Sequence, residues 1–276
     1  MRVTCVVDDA VQRSSPYWGE HGIAFLVETE DGSVLFDTGQ SGTVLLHNLG
    51  LLDVDPKALD ALVISHGHYD HTGGLSELLP LLEPGTPLYA SPDLFRGRYS
   101  VQDGVVEDVG TSLTEEQLAA GVSLRLDARA QEIVPGVWTT GEIEERPEKE
   151  GSSSRHLMRE GGELVQDRYL DDMGMALVEG DHVMLLCGCC HAGLLNTLSH
   201  VERMLERPAN VIVGGLHLTG ASSEDLSHVC RVLGQRPALR QIYPSHCTGE
   251  AAFVALTNSF GPSVVRPCPA GTILEL

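Results

Sequence analysis

Ala61-Leu62-Val63-Ile64-Ser65-His66-Gly67-His68-Tyr69-Asp70-His71-Thr72-Gly73-Gly74 is the stretch that decides how this chain is read. Its first four residues form a short apolar run of strand type. Its centre packs three imidazoles and one carboxylate into the hexapeptide from His66 to His71. Neutral imidazole and carboxylate are the usual ligands of zinc, iron and manganese. Neither a core nor a solvated face calls for so many of them side by side. Thr72, Gly73 and Gly74 then lead into Leu75 to Leu82, which reads as the start of a helix. The ligating groups therefore stand on a loop at the carboxyl end of a buried strand, where open α/β sheets place their sites.

The flanking sequence carries the same alternation outward. Upstream, Ile23 to Thr29 and Ser33 to Phe36 read as a hairpin turned at Asp31-Gly32 and ending on Asp37. A helix is predicted from Thr43 to Leu49, and Asp55-Pro56 opens a short helical stretch. Downstream, Pro87 to Ala90 reads as a strand, and Thr114 caps a helix running to Ala120. The second half predicts strands at Met175 to Val178, His182 to Leu186, Asn210 to Val213, Gln241 to Tyr243 and Gly271 to Leu274. Helices are predicted at Leu194 to Leu205, Ser222 to Leu233 and Ala251 to Asn258. Strands and helices in both halves make this an α/β chain, read as one domain over residues 1–276. Residues 142–170 stand apart. They hold Glu142, Glu144, Glu145, Glu148, Glu150, a Gly-Ser-Ser-Ser run and Gly161-Gly162, with few large apolar residues. The segment reads as a long mobile loop, either a lid over the site or a plain solvated loop.

Composition narrows the partners. Only 18 Lys and Arg oppose 39 Asp and Glu, for a formal charge of −21. Nucleic-acid binding needs a basic groove, so it is excluded as an expectation. A phosphate-bearing ligand would need a metal and local arginines such as Arg96, Arg98, Arg155 or Arg159. No run approaches the roughly 20 apolar residues of a membrane span. Asp8 and Asp9 interrupt the amino terminus too early for a signal peptide. The seven cysteines follow no disulfide framework, so free thiols in a reducing, cytoplasmic setting are expected. The sequence leaves the oligomeric state open.

The pattern from His66 to His71 resembles the HxHxDH signature of the metallo-β-lactamase superfamily. Asp37, closing a strand in Leu35-Phe36-Asp37-Thr38-Gly39, is similar to the superfamily's first motif. His246 in Tyr243-Pro244-Ser245-His246-Cys247 is similar to its last. Glu20-His21-Gly22, Thr140-Gly141-Glu142-Ile143, Gly188-Cys189-Cys190-His191 and His246-Cys247-Thr248-Gly249 narrow the resemblance. They point to the branch of 7,8-dihydropterin-6-yl-methyl-4-(β-D-ribofuranosyl)aminobenzene 5′-phosphate synthases.

The resemblance implies a four-layer αββα sandwich. It implies one metal on His66 and His68 and a second on Asp70, His71 and His246, with Asp70 also serving as catalytic proton acceptor. Asp37 would orient a metal-binding histidine from behind. The middle motifs depart from the common pattern. Glu142 stands near the place of a third-motif histidine, and no bridging aspartate follows the strand His182 to Leu186. The branch motif puts His191 there as a sixth ligand, with Cys189 nearest the missing carboxylate. His217 is expected in the pocket, as a ligand or a substrate contact, and His21 at its edge or in a structural hydrogen bond. His47, His156, His182, His200 and His228 fall in ordinary helix, loop or hairpin settings.

The cofactor expected is zinc, one or two ions, with manganese or iron as alternatives. The activity expected is that of a metal-dependent hydrolase acting on a small, phosphorylated or pterin-related molecule through metal-activated water. The branch name implies an alternative, a transferase joining an aminobenzoate-type ring to a phosphoribosyl donor. A metal-bound ligand sensor without turnover is the non-enzymatic alternative.

Overall fold

The computed structural model describes all 276 residues. Seven strands form a first sheet, in the order Ile273–Glu275, Arg2–Val7, Ala24–Glu28, Ser33–Phe36, Ala61–Val63, Pro87–Ala90 and Ser123–Leu126. From Ser33–Phe36 onward its neighbours are parallel. Parallel neighbours need crossovers, and helices Gly42–Leu51, Leu75–Leu78 and Glu115–Ala119 lie in those connections. A second sheet of six runs Gln241–Ser245, Val211–Gly215, His182–Cys187, Met175–Glu179, Val137–Thr139 and Glu132–Val134.

Alternation along the strands sets the layers. Phe25, Val27, Val34, Phe36 and Val63 meet Met175, Leu177, Met184, Leu186 and Val213 in a core between the sheets. The intervening residues Leu26, Leu35, Leu62 and Ile64 pack on Leu45, Leu49, Leu75 and Leu78 of the helices outside. Leu185, Ile212 and Ile242 do the same against Leu198, Val229 and Leu256 of helices Leu194–Leu205, Ser223–Gly234 and Glu250–Phe260. The result is helix, sheet, sheet, helix. No helix is long and apolar enough to cross a membrane.

Two differences from the sequence reading have plain causes. The helix expected from Leu75 to Leu82 is α-helical only to Leu78 and continues as a 3₁₀ turn, Leu79–Leu81. Pro80 lacks the N–H that an α-helix would use there. Residues 142–170 also hold regular structure, the antiparallel hairpin His156–Glu160 and Glu163–Gln166. It turns on Gly161 and Gly162, at φ +57° and +91°, the positive angles a tight hairpin turn needs. The hairpin joins Arg98–Gln102 and Val105–Asp108 in a third, four-stranded sheet that the sequence reading did not contain. These strands are largely solvent-exposed, so they carry no clear apolar alternation to reveal them.

Candidate metal centre

The site grows from the end of strand Ala61–Val63. Beside it, Asp37 accepts from the Ser65 N–H at 2.7 Å and from the Ser65 hydroxyl at 2.7 Å, and lies 2.7 Å from His71 Nδ1. A carboxylate only accepts, so His71 carries its proton on Nδ1 and turns the Nε2 lone pair inward. The same logic passes through Ser65. Its proton goes to Asp37, so His66 Nδ1, 2.9 Å away, donates to the Ser65 oxygen, and His66 Nε2 is left as an acceptor. His68 Nδ1 stands 3.0 Å from that Nε2. His191 Nδ1 faces the Gly151 carbonyl at 3.2 Å, which can only accept. His191 Nε2 is therefore a bare lone pair, buried and without a hydrogen-bond partner. Outer partners of this kind fix the tautomers of metal-binding histidines.

His246 completes the group from the far end of the chain. Its backbone N–H donates to Asp8, its Nδ1 lies 3.1 Å from Asp9, and its Nε2 lies 3.3 Å from Asp70. It holds a left-handed φ of +43°, as His217 does at +45°, and strain in non-glycine residues concentrates at working sites. Cys189 stands at the centre. Its sulfur belongs with His66 and His191, with His71 and His246, and with His217 and Cys247, each trio lying within 4.8 Å of one another. Gly188 makes this approach possible. A Cβ there would strike the Ser65 hydroxyl and come 2.9 Å from Asp37.

Charge follows from this packing. Burial pushes His66, His68 and His191 well below the ordinary imidazole value, so all three are neutral. Burial alone would raise Asp70, but His71 and His246 outweigh it and hold the carboxyl below its usual range. His246 is raised: burial opposes this, while Cys247, Asp70 and Asp9 overcome it. Neutral imidazoles, a carboxylate and a thiol converging on one buried point, with an orphaned nitrogen among them, are a donor set that suits a transition metal.

A hollow of about 270 Å³ opens over His68, Asp70, Cys189 and His191. It joins an outer pocket of about 680 Å³, and both are lined by His21, His156, His217, His246 and Cys247. His21 stands at the rim between Asp9 at 3.3 Å and Asp70 at 3.4 Å. His217 packs 4.2 Å from the His191 ring. Glu142 is not brought here. It borders a separate surface hollow with Ile143, Glu144 and Arg146.

His156, read from the sequence as an ordinary position, faces His68 edge-on at 5.2 Å. Its Nδ1 lies 2.9 Å from the Tyr169 hydroxyl, and the Tyr169 ring stacks on His191 at 4.2 Å. No motif in the sequence marks His156, Tyr169 or Asp9, and Cys247 enters it only as the neighbour of His246 in the branch motif. Of the four arginines considered for a phosphate, Arg155 alone lines the outer pocket. Arg98 is buried and paired with Asp167 and Asp171, Arg96 pairs with Asp93, and Arg159 lies over Tyr99.

The family model of the metallo-beta-lactamase superfamily matches residues 18–155, half of the chain. The chain is 27% identical over 286 aligned positions to the 7,8-dihydropterin-6-methyl-4-(beta-D-ribofuranosyl)-aminobenzene-5'-phosphate synthase of Methanocaldococcus jannaschii, covering 100% of this chain and 96% of that protein. It superposes with a TM-score of 0.85 on a crystal structure of a metal-dependent hydrolase of the beta-lactamase superfamily. That match has 26% identity and covers 100% of this chain and 99% of the other. Zinc-bound PqqB from Methylobacterium extorquens shares the fold at a TM-score of 0.61 and 13% identity, with both chains fully covered.

Proposed function

Because the chain belongs to the metallo-beta-lactamase superfamily, we propose that it is a metal-dependent enzyme acting on a small molecule held in the pocket over Cys189. The observation that carries this reading is the buried, unpartnered Nε2 of His191, aimed at the point where His66 and Cys189 also meet. His66, His68 and His191 would hold one ion, zinc by preference. Asp70, His71 and His246 would hold a second, with the Cys189 sulfur shared between them in the place of a bridging carboxylate. A metal bound there would lower the pKa of water toward neutrality or polarise a phosphoryl or carbonyl oxygen.

The residues around that point have separable tasks. Asp70 is positioned to accept a proton as well as to ligate. Asp37 and the Gly151 carbonyl hold His71 and His191 in the tautomers that present lone pairs. His156 and His217 wall the pocket above the ligands, where they would touch substrate. Arg155, on the outer pocket, is placed to read an anionic group on a phosphorylated or pterin-related molecule. Residues 142–170 supply part of that wall and serve as a lid. Seven free cysteines suit a reducing, cytoplasmic setting.

Hydrolysis is the reading preferred here. The full-length similarity to the methanogen synthase, named for a pterin-linked ribofuranosylaminobenzene phosphate, favours a second one, for which we take the step to be transfer of a phosphoribosyl group to an aminobenzoate-type ring. One experiment tests both. Protein purified without added metal is analysed for transition metals, then assayed with phosphoesters, lactones, pterin conjugates, and p-aminobenzoate with phosphoribosyl pyrophosphate. Metal-dependent turnover of a hydrolytic substrate supports the first reading, and turnover of the last pair replaces it with the second. Bound metal with no turnover in any arm would contradict the enzymatic reading.

A further inference from the structure

We propose that Cys189 and Cys247 form an oxidisable thiol pair, which peroxide closes into a disulfide that withdraws the shared sulfur from the metal centre. The inference rests on the reading of Cys189 as a ligand shared by both sets. Geometry brings this pair together at the ligand cluster. The two sulfurs lie within 4.8 Å of each other. Cys247 Sγ also sits 3.7 Å from the Cys189 carbonyl oxygen, and it accepts the His217 N–H at 3.3 Å. The two residues come from different strand ends, after His182–Cys187 and after Gln241–Ser245, and meet only in the folded protein.

Access to the pocket separates Cys247 from the other thiols; Cys230 is also partly exposed, but it lies on helix Ser223–Gly234 and lines neither hollow. Cys247 is partly exposed and lines both the inner hollow and the outer pocket. Cys5 and Cys268 are each 1% exposed, within the core between the sheets. Cys187 and Cys190 are buried beneath helix Leu194–Leu205. A small oxidant entering the pocket meets Cys247 first, with Cys189 behind it.

The chemistry balances with hydrogen peroxide as the named oxidant. The Cys247 sulfur takes one peroxide oxygen and becomes a sulfenic acid, releasing one water. The Cys189 sulfur then attacks the Cys247 sulfur, forming the S–S bond and releasing the second water. Two thiol hydrogens and one peroxide leave as two waters. A metal held by Cys189 would occupy the attacking lone pair, so the loaded centre would resist closure. A thiol reductant would reopen the pair.

The test uses the full-length protein, reduced, with zinc affinity measured first. If the reduced protein binds no zinc, the metal reading fails on its own terms, before any oxidant is added. Metal-free and zinc-loaded samples are then treated with hydrogen peroxide and examined by intact mass and by tryptic mapping without reductant. We expect the metal-free protein to lose two hydrogens. The peptide carrying Cys187, Cys189 and Cys190 should become linked to the one carrying Cys247. Zinc affinity should fall at least about tenfold, the loss that removing even an outer-sphere partner causes, and dithiothreitol should restore it.

Cys247→Ser and Cys189→Ser should each abolish the link, and bound zinc should suppress it. The inference is overturned if the metal-free wild type, shown competent by its zinc binding, gains oxygen without a link. It is also overturned if the link survives in either serine variant, or if the linked protein binds zinc as tightly as the reduced one. Wild-type reversal by dithiothreitol keeps the test decisive should either variant fold poorly.

Discussion

Arg98→Met probes how the histidine-rich loop from His66 to His71 is held in place. Arg98 is 1% exposed, with its Nε 3.1 Å from Asp167 and its Nη2 paired with Asp171. The other oxygen of Asp171 accepts the Gly67 N–H at 2.7 Å, between His66 and His68. Methionine keeps most of the stem volume but leaves two buried carboxylates without a counter-charge. Removing one partner from a buried ion pair costs about 3–5 kcal/mol.

The cost should depend on pH with a definite sign. Burial raises Asp171 to about 6, even though Arg98 opposes the shift. A carboxyl whose folded pKa is raised lends stability that is full below its unfolded value and lost as pH rises through the folded one. Without the guanidinium that folded value climbs further. The variant should therefore be most destabilised at about pH 8 and recover part of the loss near pH 5. Urea unfolding of both metal-free proteins at the two pH values measures this. A cost below about 1 kcal/mol, typical of an exposed pair, would refute the reasoning. So would an equal cost at both pH values.

Three other outcomes follow from the same geometry. His66→Ala or His68→Ala should strip metal from the purified protein, while His47→Ala, whose ring bonds the Pro16 carbonyl far from the cluster, should keep it; elemental analysis decides. Asp37→Asn should weaken zinc binding about 10–100-fold by releasing the His71 ring, as read by competition with a chromogenic chelator. Gly188→Ala should cost about 1–3 kcal/mol through overpacking against Ser65 and Asp37, seen as a lower thermal midpoint in metal-free protein.

Much of this molecule is legible because its signals are local. His66, His68, Asp70 and His71 crowd one loop, and the strand before them is short and apolar. The helices at Thr114 and Ser222 open with capping boxes completed by Gln117 and Asp225. What stayed hidden depends on distant pairing. Asp8 and Asp9 support His246 from more than 230 residues away. The central place of Cys189 depends on Gly188 passing over Ser65, which no spacing in the sequence records. His156 opens, and Tyr169 follows, a hairpin whose strands are mostly exposed or half-buried, so it lacks the apolar rhythm by which strands are recognised. Glu142 sits near a family motif, but its N–H donates to the Ala128 carbonyl and its place is another hollow.

The most direct test of the account is anomalous diffraction at the zinc edge from crystals grown with zinc. Two peaks are predicted. One should lie about 2.0–2.1 Å from nitrogens of His66, His68 and His191, the other at similar distances from Asp70, His71 and His246, with the Cys189 sulfur about 2.3 Å from each. Peaks confined to other residues, or a Cys189 sulfur turned away from both ions, would contradict it.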